Sequence, residues 1–141
     1  MMKEINRARA TLGLDDYRVT IEASGHTLFA DEPVELGGKD RGPAPYELLL
    51  GGLASCTLIT LRMYAKRKGW ELGHLDLELR LLKAKGESDR IERRLRVSEP
   101  LSDEQWERLL DVARKTPVTK TLLGGVEIDD FAERSTAHEL A

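Results

Sequence analysis

The chain has 141 residues, enough for one domain with its own core and too few for two ordinary ones. With 40% hydrophobic and 33% charged residues and a formal net charge of −3, it reads as a soluble globular protein. Its Lys and Arg residues are dispersed, which argues against nucleic acid as a partner, since phosphate binding needs a concentrated basic face.

The first nine residues lack an apolar signal core, so a cytoplasmic location is expected. Arg7–Leu12 alternates loosely and precedes a turn at residues 13–16. From Tyr17 to Ala23 the apolar residues Tyr17, Val19 and Ile21 alternate with Arg18, Thr20 and Glu22, the pattern of a half-buried strand. Ser24-Gly25-His26 makes a tight turn, and residues 27–30 pair back as a hairpin. Residues 31–43 are polar and glycine-rich and read as a mobile loop.

Pro43 and Pro45 suit a helix start, and Gly69 a helix stop, so one helix is predicted up to Lys68. No charge occurs between Glu47 and Arg62, so this helix should be buried on nearly all sides. With Ser55, Thr57 and Thr60 inside it, the run reads as too short and too polar for a membrane span. Lys66-Arg67-Lys68 supplies favourable charge at its C-terminus. Gly51-Gly52 costs about 1 kcal/mol per glycine relative to alanine, which suggests close approach of another backbone.

Leu75, Leu77, Leu79 and Leu81 alternate with charged residues. Their partner strand carries Ile91, Arg93, Leu95 and Val97 on one face, a mixed set. Ser102 and Gln105 have capping-box spacing ahead of a helix presenting Trp106, Leu109, Leu110 and Ala113. Thr116-Pro117 starts a short helix, with Thr116 as an ordinary N-cap, ending at Gly124-Gly125. Val126–Ile128 is expected as a last strand, and the tail after Ala132 should fray. The order is β3-α-β2-α-α-β, an α+β protein in one domain over residues 1–141. Six strands and two small helices are too little to enclose the long helix, so a dimer sharing that core is expected.

Few residues carry chemistry. The three histidines stand far apart, with no HxxxH or CxxC spacing, so no metal is expected. No nucleotide or flavin motif occurs, and no cofactor is expected. That leaves Cys56, the single cysteine, within the longest apolar run. Such a residue either packs as a small hydrophobe or reacts as a thiolate. Burial alone raises a thiol pKa, and mid-helix placement offers no helix N-terminus to favour the anion. Reactivity therefore requires a nearby cation.

The stretch Gly42-Pro-Ala-Pro-Tyr-Glu-Leu-Leu-Leu-Gly-Gly-Leu-Ala-Ser-Cys56, continuing through Trp70, resembles the OsmC/Ohr family of osmotically induced and organic-hydroperoxide-resistance proteins. Thr116-Pro-Val-Thr-Lys-Thr-Leu-Leu-Gly-Gly-Val-Glu-Ile128 carries a second match, and the similarity covers nearly the whole chain. The resemblance implies an intertwined homodimer around two central helices. It also implies thiol-based reduction of organic hydroperoxides, with Cys56 in the place of the attacking cysteine. The second, disulfide-forming cysteine of such proteins is replaced by Thr116, and a common histidine by Thr119. An intrachain catalytic disulfide is therefore impossible here, and an external thiol would have to resolve the oxidised sulfur.

The glutamate that supports the active arginine falls at Tyr46, with Glu47 one residue on, about 100° around a helix. The arginine itself is expected from the N-terminal strands or following loop, with Arg18 and Arg41 as candidates. Cys56, Arg18, Arg41 and Glu47 form the expected catalytic set. Two other functions stay open: a non-catalytic dimer binding a small apolar ligand between subunits, and a redox sensor or structural relic.

Overall fold

The computed structural model describes residues 1–140 and divides into two compact units, Met1–Leu48 with the segment from Asp130, and Leu49–Asp129. The first contains three antiparallel strands, β1 (Arg9–Leu12), β2 (Val19–Ala23) and β3 (His26–Ala30), with β2 in the centre. Ala23 lies opposite His26, so Ser24 and Gly25 form a two-residue hairpin loop. Both have positive φ, 50° and 81°, as a primed turn requires.

Residues 31–43, expected as a mobile loop, are instead tied down around one buried carboxylate. Asp31 is 2% exposed and accepts hydrogen bonds from the Glu32 amide (2.8 Å), the Arg41 amide (3.2 Å) and Arg41 Nε (3.4 Å). Backbone bonds from Asp31 to Pro43 and from Asp40 to Glu32 close the same loop, and a 3-10 turn at Val34–Leu36 ends on Gly37 at φ 92°. A Cβ at Gly42 would lie 2.6 Å from the Phe29 carbonyl oxygen, so only glycine fits there. Glycine-rich composition here serves close packing rather than mobility.

Helix α1 (Pro45–Lys68) has the predicted bounds, with Gly69 at φ 72° just past its end. At 24 residues it is long and apolar enough to cross a membrane, which corrects the length argument from sequence. Its packing is that of a core helix of one stripe. Leu53, Thr57, Leu61 and Ala65, spaced by four, are buried, whereas Leu49, Ile59 and Met63 are exposed. Burial on all sides is thus not achieved by this chain. A Cβ on Gly51 or Gly52 would meet nothing within 4 Å beyond their own helix among the described residues, so the close approach expected there is not seen.

In the second unit β4 (Leu75–Leu82) and β5 (Arg90–Val97) form an antiparallel hairpin. Leu75, Leu77, Leu79 and Leu81 face Val97, Leu95, Arg93 and Ile91 on the half-buried side. On the exposed side Asp76 faces Arg96 and Arg80 faces Glu92, as ion pairs of 2.8 and 2.7 Å. Such pairs add little stability, but a one-residue slip would set the leucines of β4 opposite Arg96, Arg94 and Glu92 and break the match of apolar faces.

Helix α2 (Asp103–Ala113) starts with both capping-box bonds in place, Gln105 N to Ser102 Oγ at 3.1 Å and Ser102 N to Gln105 Oε1 at 2.9 Å. It inserts Leu109 into a core with Leu61, Ala65 and Leu72, flanked by Val112 and Ala113, while Leu110 lies 40% exposed outside the expected face. Helix α3 (Pro117–Gly124) follows. Val126–Ile128, expected as the last strand, pairs with no strand among the described residues and is exposed. A strand exists only through an edge to pair with, and three residues after a positive-φ glycine create none. The tail expected to fray contains a one-turn helix, α4 (Ala137–Leu140).

The burial of Asp31 works to raise its pKa. The amides of Glu32, Arg41 and Lys39 and the Arg41 guanidinium outweigh it and hold the pKa below the usual carboxylate range. Asp15 is lowered as well, chiefly by its hydrogen bond from Arg41. Depressed carboxylates contribute stability that is present above the unfolded value of about 3.9 and lost as pH falls through the lower folded value. Thermal unfolding followed at acidic pH should therefore show a falling midpoint below about pH 4. Asp31→Asn should be less stable at neutral pH with a shallower acid decline; parallel curves for the two proteins would contradict the role given to Asp31.

Candidate active site

Cys56 is half-buried on α1, and its Sγ accepts a hydrogen bond from the Val118 amide at 3.5 Å. Val118 is the second residue of α3, after Pro117, so its N–H has no partner within the helix. The sulfur thus lies at the positive end of a helix dipole. This overturns the expectation that no helix N-terminus reaches Cys56. That expectation considered only the helix carrying the cysteine; the useful terminus is 62 residues further along the chain.

One residue beyond each partner of this contact stands a buried threonine. Thr57 follows Cys56 and is 1% exposed; Thr119 follows Val118 and is 6% exposed. Arg93 Nη1 joins them, donating to Thr57 Oγ1 at 3.0 Å and to Thr119 Oγ1 at 3.1 Å. The Thr57 hydroxyl proton goes to the Leu53 carbonyl at 2.8 Å, leaving a lone pair for the guanidinium. The Thr119 oxygen also lies 2.6 Å from Thr116 Oγ1 and 3.5 Å from the Ala113 carbonyl.

Arg93 makes no ion pair among the described residues. Burial lowers its pKa from the ordinary guanidinium value, and the charge of Arg114 acts in the same direction. Arginine stays protonated throughout the physiological range, so the cluster holds a cation whose two hydrogen bonds from Nη1 go to hydroxyls.

Thr116 was expected as an ordinary N-cap. Its backbone is extended as a cap requires, but its side chain makes no capping bond and turns instead to Thr119. The hydroxyl is completely buried, at 0% exposure, and pairs with that of Thr119 at 2.6 Å.

Residues 37–129 of the chain match the family described as OsmC-like protein. The chain belongs to this family. Among proteins of curated function none matches it in sequence. An OsmC-like protein from Mycoplasma pneumoniae superposes with a TM-score of 0.74 at 23% identity, over 87% of this chain and 90% of that one. The organic hydroperoxide resistance protein OhrB of Bacillus subtilis does so at 0.59 and 21%, covering 88% and 94%. A Legionella pneumophila organic hydroperoxide resistance protein, OsmC, gives 0.62 and 21%, covering 88% and 93%. At these identities the likeness is one of fold, here the α+β OsmC-like fold.

The other residues expected at the OsmC-like site lie in the N-terminal unit. Arg41 is engaged by carboxylates: Nη1 lies 2.5 Å from Asp15 and Nε 3.4 Å from Asp31. Arg18 stacks its guanidinium 4.3 Å from the centroid of the Phe29 ring, and its buried Nε has no hydrogen-bond partner. Glu47 Oε1 accepts the Ala44 amide at 2.8 Å, the reciprocal half of a capping box at the start of α1.

Arg93 is the side chain that sequence reasoning missed. Its signal was an arginine in phase with Ile91, Leu95 and Val97 on the apolar side of β5, noted as mixed character and given no consequence.

Because Thr116 bonds to a side chain and not to the helix backbone, Thr116→Val should cost about 1 kcal/mol through the lost hydroxyl pair. Amide exchange in the first turn of α3 should be unchanged. Fraying of that turn in the variant, with stability otherwise retained, would show that Thr116 caps after all.

Proposed function

We propose that this OsmC-like protein is a one-cysteine, thiol-dependent reductase of organic hydroperoxides. The Val118 amide directed at Cys56 Sγ carries this reading, because it sets a hydrogen-bond donor on the sulfur of a thiol otherwise placed in an apolar helix. In the first step the Cys56 thiolate attacks the terminal peroxide oxygen. The S–O bond forms as the O–O bond breaks, and the terminal oxygen keeps its proton on sulfur. The departing alkoxide takes up the proton that the thiol released and leaves as an alcohol. Cys56 is then a sulfenic acid. With one cysteine in the chain, an external thiol attacks the sulfur and releases water to give a mixed disulfide. A second external thiol releases Cys56 and departs as a disulfide. No metal or other cofactor enters this chemistry.

Of the two arginines proposed from sequence, Arg18 suits an anionic partner better. It makes no ion pair among the described residues, whereas Arg41 is neutralised by Asp15 and Asp31. Glu47, already bonded to Ala44, is assigned a supporting role at the start of α1. The proposed working form is a cytoplasmic homodimer, since the exposed apolar side of α1, with Ile59 and Met63 54% and 59% exposed, needs a cover that a second copy could supply.

That same apolar side favours one alternative, a dimer that binds a small apolar ligand between subunits without turnover. Native mass spectra would then show a retained small molecule. Stopped-flow mixing with cumene hydroperoxide and dithiothreitol separates the two readings. The native protein should consume peroxide catalytically, and Cys56→Ser should fall to the rate of the thiol alone. Equal rates for both proteins would end the peroxidase reading.

A further inference from the structure

We infer that Arg93 is a positioning residue for the Cys56 thiolate: by bridging Thr57 on α1 and Thr119 on α3, it holds the N-terminus of α3 so that the Val118 amide stays on the sulfur. The inference rests on the reading of Cys56 as a reactive thiol and adds a residue to it. The geometry is a short closed circuit. Cys56 and Thr57 are consecutive on α1, Val118 and Thr119 are consecutive on α3, and one guanidinium nitrogen joins the threonines at 3.0 and 3.1 Å. The sulfur contact, at 3.5 Å, is the weak member of this circuit and cannot fix two helices by itself. Charge-assisted bonds to the two neighbouring hydroxyls can.

A purely structural role accounts poorly for these residue types. Arg93 stands across from Leu79 on the leucine-lined side of the hairpin, and no carboxylate among the described residues compensates its charge. Apolar side chains of similar volume at Arg93, Thr57 and Thr119 would pack there without desolvating a cation. The polar solution adds direction to the contact. It also leaves an unneutralised positive charge, with Arg114 nearby, where α3 already presents its positive end.

The test is the rate of Cys56 alkylation by iodoacetamide as a function of pH, with thermal unfolding measured on the same samples. Thr119→Val keeps the shape and removes the acceptor; Arg93→Met removes the donor and the charge; Thr119→Ser restores the hydroxyl. The first two should alkylate about tenfold more slowly at neutral pH, with the rate profile displaced to higher pH. Thr119→Ser should follow the native protein. A structural role alone would lower the melting temperature and leave the profile in place, and that result in folded Thr119→Val overturns the inference. Alkylation involves no peroxide, so the two readings fail separately. A displaced profile in a protein without peroxide turnover removes the peroxidase and keeps the positioning role, and an unmoved profile with turnover intact does the reverse.

Discussion

The proposed chemistry depends on one contact between helices distant in sequence, the Val118 amide against the Cys56 sulfur. A cysteine inside an apolar helix is a poor nucleophile, because burial disfavours its anion and its own helix offers no free N–H. Helix α3 supplies what α1 cannot, an unbonded amide and the positive end of a dipole. Pro117 helps in two ways: its fixed φ suits the first helical turn, and it has no N–H of its own, so the next amide is the one presented.

Around that contact the sequence uses threonine where apolar residues would pack as well. Thr57, Thr116 and Thr119 are all buried, and their hydroxyls are satisfied by Leu53, by Arg93 and by one another. Buried polar groups of this kind carry a desolvation cost that only full satisfaction offsets, so their arrangement is closely constrained. Thr116 stands where relatives with two cysteines would carry the second. Its hydroxyl is part of this network and offers no thiol chemistry. In the proposed reaction the packing around Thr116 is thus a separate matter from resolution, which falls to thiols in solution.

Much of the fold was legible because its signals are local. Period-two alternation marked β2, β4 and β5, the Ser102 and Gln105 spacing marked α2, and Pro45 and Gly69 marked the ends of α1. The failures share a cause. The order of residues 31–43 depends on a carboxylate, Asp31, whose donors are spread over ten residues. Val126–Ile128 has strand character without an edge to join. The apolar circumference of α1 implied full burial, yet this chain covers only one stripe. The site was half legible: Cys56 and the Thr116-Pro117 start were visible as separate features. Their meeting is tertiary, and Arg93 was hidden among six other arginines and lysines from Arg80 to Arg96.

Mass spectrometry of the protein exposed to cumene hydroperoxide with dimedone, which traps sulfenic acid, is the most direct test. A dimedone adduct on Cys56, absent from Cys56→Ser, is the predicted result. A Cys56 left unmodified under these conditions would be a packed side chain, and the peroxide chemistry would have no start.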